Sequence, residues 1–479
     1  MMVIGVREGG TMAMGKRQTQ RQQELWIPAA DIPKAPGHPF YRKLNALLAE
    51  HGFDAFAEGL CQKFYHGELG RPSVPPGVYF RMLLIGYFEG IDSERGIAWR
   101  CDDSRTLREF LGYEPKELTP DHSSLSKIRE RIDLETHQEV FTWVLKVVAQ
   151  KGLLKGKTLG IDATTLEANA AMRSIVRRDT GESHKEFLTH LARASGIATP
   201  RREDLAGIDK SRKNKASNDD WTNPHDPDAK IAKMKDGRTH MAHKAEHAVD
   251  METGAIVAVT VQPADRGDTT SLWKTMEESG ENLREVTDDP LAGACIEGPI
   301  IQEAVGDKGY HSNDMCRDMK EVPVRTYFSE PDRGRRVWTD KDTGEVKSEE
   351  QSAVQANRRR IRGRRGKALL RKRGELLERS FAHCYETGGM RRVHLRGHAN
   401  ILKRLLVHVA GFNLGLIMRS VFGAGKPRCL QGGLAAFILA VFDRILGWLR
   451  GPGALPGCSG PLWPVAAAPA PTIALRAAA

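Results

Sequence analysis

Cysteine is scarce and unpatterned in this chain. There are seven in 479 residues (Cys61, Cys101, Cys295, Cys316, Cys384, Cys429 and Cys458), an odd number with no CxxC among them. That excludes a disulfide framework and a zinc ribbon, and it suits a reducing cytosol. Long apolar runs are missing too. The longest, Leu434 to Phe442, falls well short of the roughly 20 residues a membrane span needs, and Asp443 and Arg444 follow it. The N-terminal MMVIGVREGGTMAMGKRQTQRQQ lacks the continuous apolar segment of a signal peptide, so a cytoplasmic protein with no membrane is expected. Aromatic residues make up only 6%, yet 40% are hydrophobic, enough for a globular core. Acidic residues are outnumbered by basic ones, 61 to 72, leaving a net charge of +11. A polyanion is therefore the first partner to consider.

Residues 1–25 are polar and aperiodic and read as a flexible tail. From 26 to 150 the apolar spacing is helical. Val78, Met82, Leu83 and Ile85 follow the helix-opening pair Pro75-Pro76, and Val140, Phe141, Val144, Leu145 and Val148 share a face. Between them, LTPDHSSLSKIRERI predicts a helix capped by Ser123 or Ser124, with Lys127, Arg129 and Arg131 projecting from it as DNA contacts. A plain solvated helix face is the bland alternative.

From 151 to 424 strands and helices alternate, predicting an α/β core. TLGIDATTLEA begins it as a β-branched strand. Residues 170–238 are polar and basic, and NDDWTNPHDPD near their end marks an insertion that is mostly loop. His243 to Asp250 and Ala255 to Val261 read as a hairpin turning at Gly254. A helix near 269–280, a strand at Ile300 to Val305, a helix after His311, a strand at Val322 to Phe328 and a helix from about Ala399 to Phe422 complete the expectation. Residues 425–479 read as a low-complexity tail.

An aspartate inside an apolar strand is costly unless a cation or a partner meets it. Asp162 in LGIDAT and Asp307, ending IIQEAVG before Lys308-Gly309-Tyr310, both have this setting. Two such carboxylates suit hard cations, Mg²⁺ or Mn²⁺, and two ions together can support in-line phosphoryl transfer. A third acid is expected from the helix after the run NRRRIRGRRGKALLRKR (357–373), which has ten Lys or Arg and no acid. Glu375 has Arg379 four residues on and reads as a surface pair, leaving Glu378 as the ligand. The basic run itself would neutralise DNA phosphates; a basic linker is the alternative. His240, His243 and His247 invite a zinc reading, but their flanks read as a strand, so they are taken as structural or DNA-adjacent. Asp250, opening Asp-Met-Glu-Thr-Gly, is taken as a turn residue.

Four blocks in order, GIDATTLEANA, HKAEHAVDMETGAIVAVTVQPADRGDT, VGDKGYHS and LLERSFAHCYETGGMRRVHLRGHANI, resemble the DDE transposases of bacterial insertion sequences. GRPSVPPGVYFRMLLIGYFEGIDSERGIAWRCDDSRTLREFLGY and LTPDHSSLSKIRERI resemble the helical N-terminal domain of that group. The resemblance covers about residues 39–420. It implies a ribonuclease-H-like mixed sheet with helices, preceded by an all-α domain and followed by C-terminal helices. It also implies a metal-dependent enzyme that cuts double-stranded DNA at terminal inverted repeats and transfers the strands to target DNA, nucleoid-associated and working as a homo-oligomer. On this chain the catalytic, metal-holding acids would be Asp162, Asp307 and Glu378. Relatives carry Tyr and Arg ahead of the glutamate and Lys after it; here those positions hold Arg371, Gly374 and Tyr385. DNA contacts would pass to Lys308, Arg371, Lys372, Arg373, Arg391 and Arg392. Two alternatives stay open: a ribonuclease-H-like nuclease that cuts without joining, and a DNA-binding regulator or decayed transposase.

Overall fold

The computed structural model describes residues 37–430 apart from 67–72, 214, 216, 235–236, 297–300, 333, 335–337 and 340–346. The expected tail at 1–25 and the apolar run Leu434 to Phe442 lie outside the described residues, as does the expected tail at 425–479 beyond residue 430; its first residues are ordered, with a 3-10 turn at Pro427–Leu430 that buries Pro427.

Among the described residues seven α-helices come first: α1 (Pro39–Glu50), α2 (Phe53–Cys61), α3 (Pro76–Glu89), α4 (Glu94–Asp103), α5 (Arg105–Leu111), α6 (His122–Arg131) and α7 (Leu134–Gln150). Their starts follow local chemistry. Pro76 opens α3, whose residues Gly77 to Phe88 are all buried, and Asp133 caps α7 by accepting from the Thr136 N–H at 2.8 Å. The cap of α6 is Asp121 rather than Ser123 or Ser124: its carboxylate accepts from the Ser124 N–H and from both serine hydroxyls. A charged acceptor one turn earlier wins over a hydroxyl.

The chain then builds β1 (Thr158–Glu167), β2 (Val176–Arg177), α8 (His184–Ala194), α9 (Arg202–Ser211), β3 (Trp221–Thr222), β4 (Lys230–Lys233), β5 (Thr239–Asp250), β6 (Ile256–Pro263), α10 (Asp268–Asp288), α11 (Pro290–Gly293), β7 (Glu303–Gly306), α12 (Asn313–Glu321), β8 (Arg325–Phe328), α13 (Ser348–Arg362), α14 (Arg364–Phe381) and α15 (His398–Phe422). The insertion at 170–238 carries two α-helices and three short strands between its loops. A capping box between Ser183 and Glu186 starts α8, and Trp221 is buried in a small separate core with Ala168, Ile175 and Met241. Arg177 and Arg212 lie over the Trp221 and Phe187 rings, so part of the insertion's basic charge is structural.

The sheet runs β6-β5-β1-β7-β8, with β4 on the same edge of β5 as β6. β5 is antiparallel to β1, from Leu159↔Asp250 to Glu167↔Ala242, while β7 and β8 run parallel to β1. Helices cover both faces. Glu246 of β5 meets Ser271 of α10 and the next residue, His247, meets Ser380 of α14, and neighbouring strand residues point to opposite faces. Two buried asparagines close the outer strands. Asn413 of α15 bonds both the N–H and the C=O of Ile256 in β6, and Asn357 of α13 does the same to Phe328 in β8. α15 is long and apolar enough to cross a membrane, but 78% of its most apolar window is buried in this fold, packed on α7, α3 and β6. A single hydrophobic core joins the N-terminal helices to the sheet.

That core holds His137, His247 and His408, which burial pushes down to about 4, 3 and 3. The unfolded chain binds protons at these groups near pH 6.5, so the fold loses stability as pH falls below that value. Three groups give a slope of up to about 4 kcal/mol per pH unit. Melting followed by circular dichroism is expected to shift strongly downward between pH 7 and pH 5, and equal midpoints would refute the assignment.

Candidate active site

β1 lies at the centre of the sheet and carries Asp162 about halfway along it. The parallel pairing of Gly160 with Val305, continued for two residues, sets Asp162 beside Asp307 at the end of β7. Burial, with the negative charge of Asp307, pushes the Asp162 carboxyl up to about 6, against the opposing pull of Arg373. Arg373 of α14 stands 3.5 Å from Asp162 Oδ2 and donates to the Ile161 carbonyl at 3.2 Å. Gly160 makes this approach possible, because a Cβ there would fall 2.5 Å from Met251 Sδ and 3.3 Å from Arg373 Cγ.

Asp307 accepts from the Gly309 N–H at 2.8 Å and so caps the 3-10 turn Lys308–Tyr310. Gly309 has no room for a side chain, since a Cβ would lie 2.0 Å from Asp268 Oδ2. Asp268, the first residue of α10, thus sits against the Asp307 turn, and its other oxygen takes Lys244 Nζ at 2.6 Å. Sequence reasoning passed over Asp268; its only signal was its place in ADRGDT, just after a strand.

Behind this turn is a buried carboxylate, also missed. Glu246 accepts from Ser271 Oγ at 2.8 Å, Tyr310 Oη at 2.7 Å and Thr275 Oγ1. Burial pushes its carboxyl up, and these donors and Lys244 pull it back. Tyr310 closes the turn that starts at Asp307, so Glu246 fixes that turn from beneath. In the sequence, Glu246 looked like one more polar position in a half-buried hairpin strand.

The expected third acid is placed differently. α14 directs Arg373, Leu377 and Ser380 to the sheet, while Glu378 is exposed, with no hydrogen bond or ion pair among the described residues. Glu375 pairs with Arg379 at 2.7 Å, as the i,i+4 spacing predicted. No group of three or more acids, histidines or cysteines spaced to hold a metal is present among the described residues. The histidines are structural: His243 meets Asp226 at 3.0 Å, and His247 lies between Ser380 (3.1 Å) and Tyr385 (2.6 Å). Tyr385 belongs to the π-helical turn Ala382–Glu386 that follows α14. Asp250 is the turn residue expected, accepting from the Lys155, Gly156 and Glu252 N–H groups.

The basic residues divide by exposure. Lys127, Arg131, Lys308, Arg371, Lys372 and Arg392 are exposed. Arg129 does not project from α6 but is turned inward onto Glu94. Arg373 is engaged with Asp162, and Arg391 bonds Glu386 at 2.5 Å and Thr164 at 3.0 Å. The basic run is not a linker: it forms the end of α13 and most of α14, with Arg358 on Glu330 and Arg365 on Glu303.

Two families match this chain, the transposase domain DUF772 over residues 29–131 and the transposase DDE domain over residues 218–414. Together they span well over half of it. The chain is a DDE transposase. No curated protein and no solved structure matches it. The matched DDE segment holds Asp307 and Glu378 but begins after Asp162. β1, which carries Asp162, lies between β5 and β7, both inside the match. The mixed β6-β5-β1-β7-β8 sheet is the ribonuclease-H-like core of this transposase, and the protein acts on DNA.

Proposed function

We propose that the transposase cuts DNA at the ends of its element and joins the new 3′ ends to target DNA by metal-dependent phosphoryl transfer, with Asp162, Asp307 and Glu378 as its acids. The observation that carries this reading is the approach of Asp162 to Asp307 across β1 and β7, where burial and the charge of Asp307 disfavour a bare Asp162 carboxylate. A hard divalent ion, Mg²⁺ or Mn²⁺, would relieve both, and carboxylate oxygens are its preferred ligands. Glu378 is the proposed third acid because it is an unpaired acid on the helix packed against β1, and it would join the pair by reorienting its side chain. Two divalent ions bound there would polarise the scissile phosphate and offset charge on the attacking and leaving oxygens.

The chain's own groups do the rest. Arg373 sits where it neutralises Asp162 in the absence of DNA and can turn to a phosphate when a cation takes over that task. Lys308, next to Asp307, and Arg371 and Lys372 on α14 would hold the phosphates flanking the cut, with Lys127, Arg131 and Arg392 further along the duplex. Such contacts make binding fall steeply with salt. A homo-oligomer at the nucleoid follows from the need to hold two ends at once.

The test is joining of DNA carrying the flanking ends of the element, with Mg²⁺ and with EDTA. Wild type should join only with Mg²⁺. Glu378→Gln should lose roughly a hundredfold or more, while Glu375→Gln stays within about twofold. Joining by Glu378→Gln at the wild-type rate would remove Glu378 from the site. Cutting without joining by wild type would make the protein a nuclease, and binding without either a regulator.

A further inference from the structure

Past the C-terminal end of β1 lies a cavity of about 510 Å³, within the usual range for small-ligand sites. Met172 and Met241 give it an apolar floor that continues into the small core around Trp221. Glu167 and Asn169 line it, and exposed Arg392 and Arg396 stand on its rim. Arg392 Nε and His240 Nδ1 lie 3.7 and 3.9 Å from Glu167 Oε1, too far for hydrogen bonds. Arg396 donates from Nε to the Asn169 carbonyl at 3.3 Å. Glu167 is five strand residues from Asp162, about 16 Å at the rise of an extended chain, within reach of DNA held at the carboxylates.

We propose that this cavity holds one unpaired nucleotide of the DNA, with its base on Met172 and Met241, an exocyclic amine on Glu167 and its phosphate on Arg392 and Arg396. The inference rests on the DNA-cutting reading above. A site for phosphate alone would not place a carboxylate among its lining groups, since that oxygen repels the anion. A carboxylate accepts from the amine of cytosine or adenine, which thymine lacks. Unstacked bases are held by apolar contact and edge hydrogen bonds in other single-strand sites.

The test is fluorescence anisotropy of the full-length protein with labelled single-stranded 12-mers of dC, dA and dT. Wild type should bind dC and dA about tenfold more tightly than dT. Glu167→Gln should abolish that preference, and Arg396→Ala should weaken all three about fivefold. Ala171→Trp, which fills the cavity from an exposed position, should weaken all three without loss of helix content. Equal binding of the three oligomers by wild type overturns the proposal, as does unaltered binding by both Ala171→Trp and Arg396→Ala. A wild type that shows the preference, loses it in Glu167→Gln and yet never cuts duplex DNA upholds the cavity and sinks the reaction instead.

Discussion

Asp162→Asn is expected to lower strand transfer at least about a thousandfold, the rate equivalent of about 4 kcal/mol, while duplex affinity at low salt stays within about threefold. The same change should make the metal-free protein melt later. Folding pushes this carboxyl up to about 6, so above that pH the ionised form costs stability, on the order of 3 kcal/mol before solvent screening. An amide of the same shape removes the charge. The sign follows from linkage: the folded state binds the proton more tightly, so this group adds stability as pH falls through about 6 and partly offsets the loss from the buried histidines. Calorimetry at pH 7.5 and a joining assay on one preparation check both halves. Joining that survives would remove Asp162 from the chemistry; an earlier melt would mean that Arg373 and the Ala163 N–H, which donates to Asp162 at 2.9 Å, more than compensate its charge.

Glu246→Leu is expected to cost about 3–5 kcal/mol of stability and roughly a hundredfold in strand transfer. The leucine leaves the Tyr310, Ser271 and Thr275 hydroxyls without their buried acceptor and the Lys244 ammonium, which stays bonded to Asp268, without the neighbouring charge of Glu246. Tyr310 then no longer holds the turn at Asp307, and an ångström of misplacement suffices for a loss of that size. Glu246→Gln keeps a side-chain oxygen for the hydroxyls and should restore folding and part of the rate. A Glu246→Leu protein that melts early but joins normally would make Glu246 a stability residue alone, since a positioning role requires the Gln variant to recover activity in step with its turn.

The two aspartates were legible because each breaks a local rule: a carboxylate in or beside an apolar strand is too costly to be accidental. The hairpin, the Pro-opened helix and the Glu375–Arg379 pair were legible for a related reason, since each is settled within a few residues. Arg129 was not, because Glu94, which turns it inward, is 35 positions earlier in the chain. The small core of the insertion was not legible, because Trp221 finds its partners among Ile175, Phe187 and Met241, and no local period records that packing. Asp268 and Glu246 stayed hidden because an acid at a helix start or in a hairpin strand is ordinary until the fold shows what stands against it.

By itself, then, the sequence determined the fold class, the alternation of elements and the DDE transposase family, all carried by residue types and short spacings. Tertiary structure alone decided that β1 sits between β5 and β7 so that Asp162 meets Asp307, and that α14 turns Arg373 to the sheet while Glu378 faces solvent. It alone decided that a buried glutamate supports the Asp307 turn. Those outcomes depend on strand order and helix rotation, which are set by the burial of whole faces and by contacts between residues far apart in the chain, not by any local pattern.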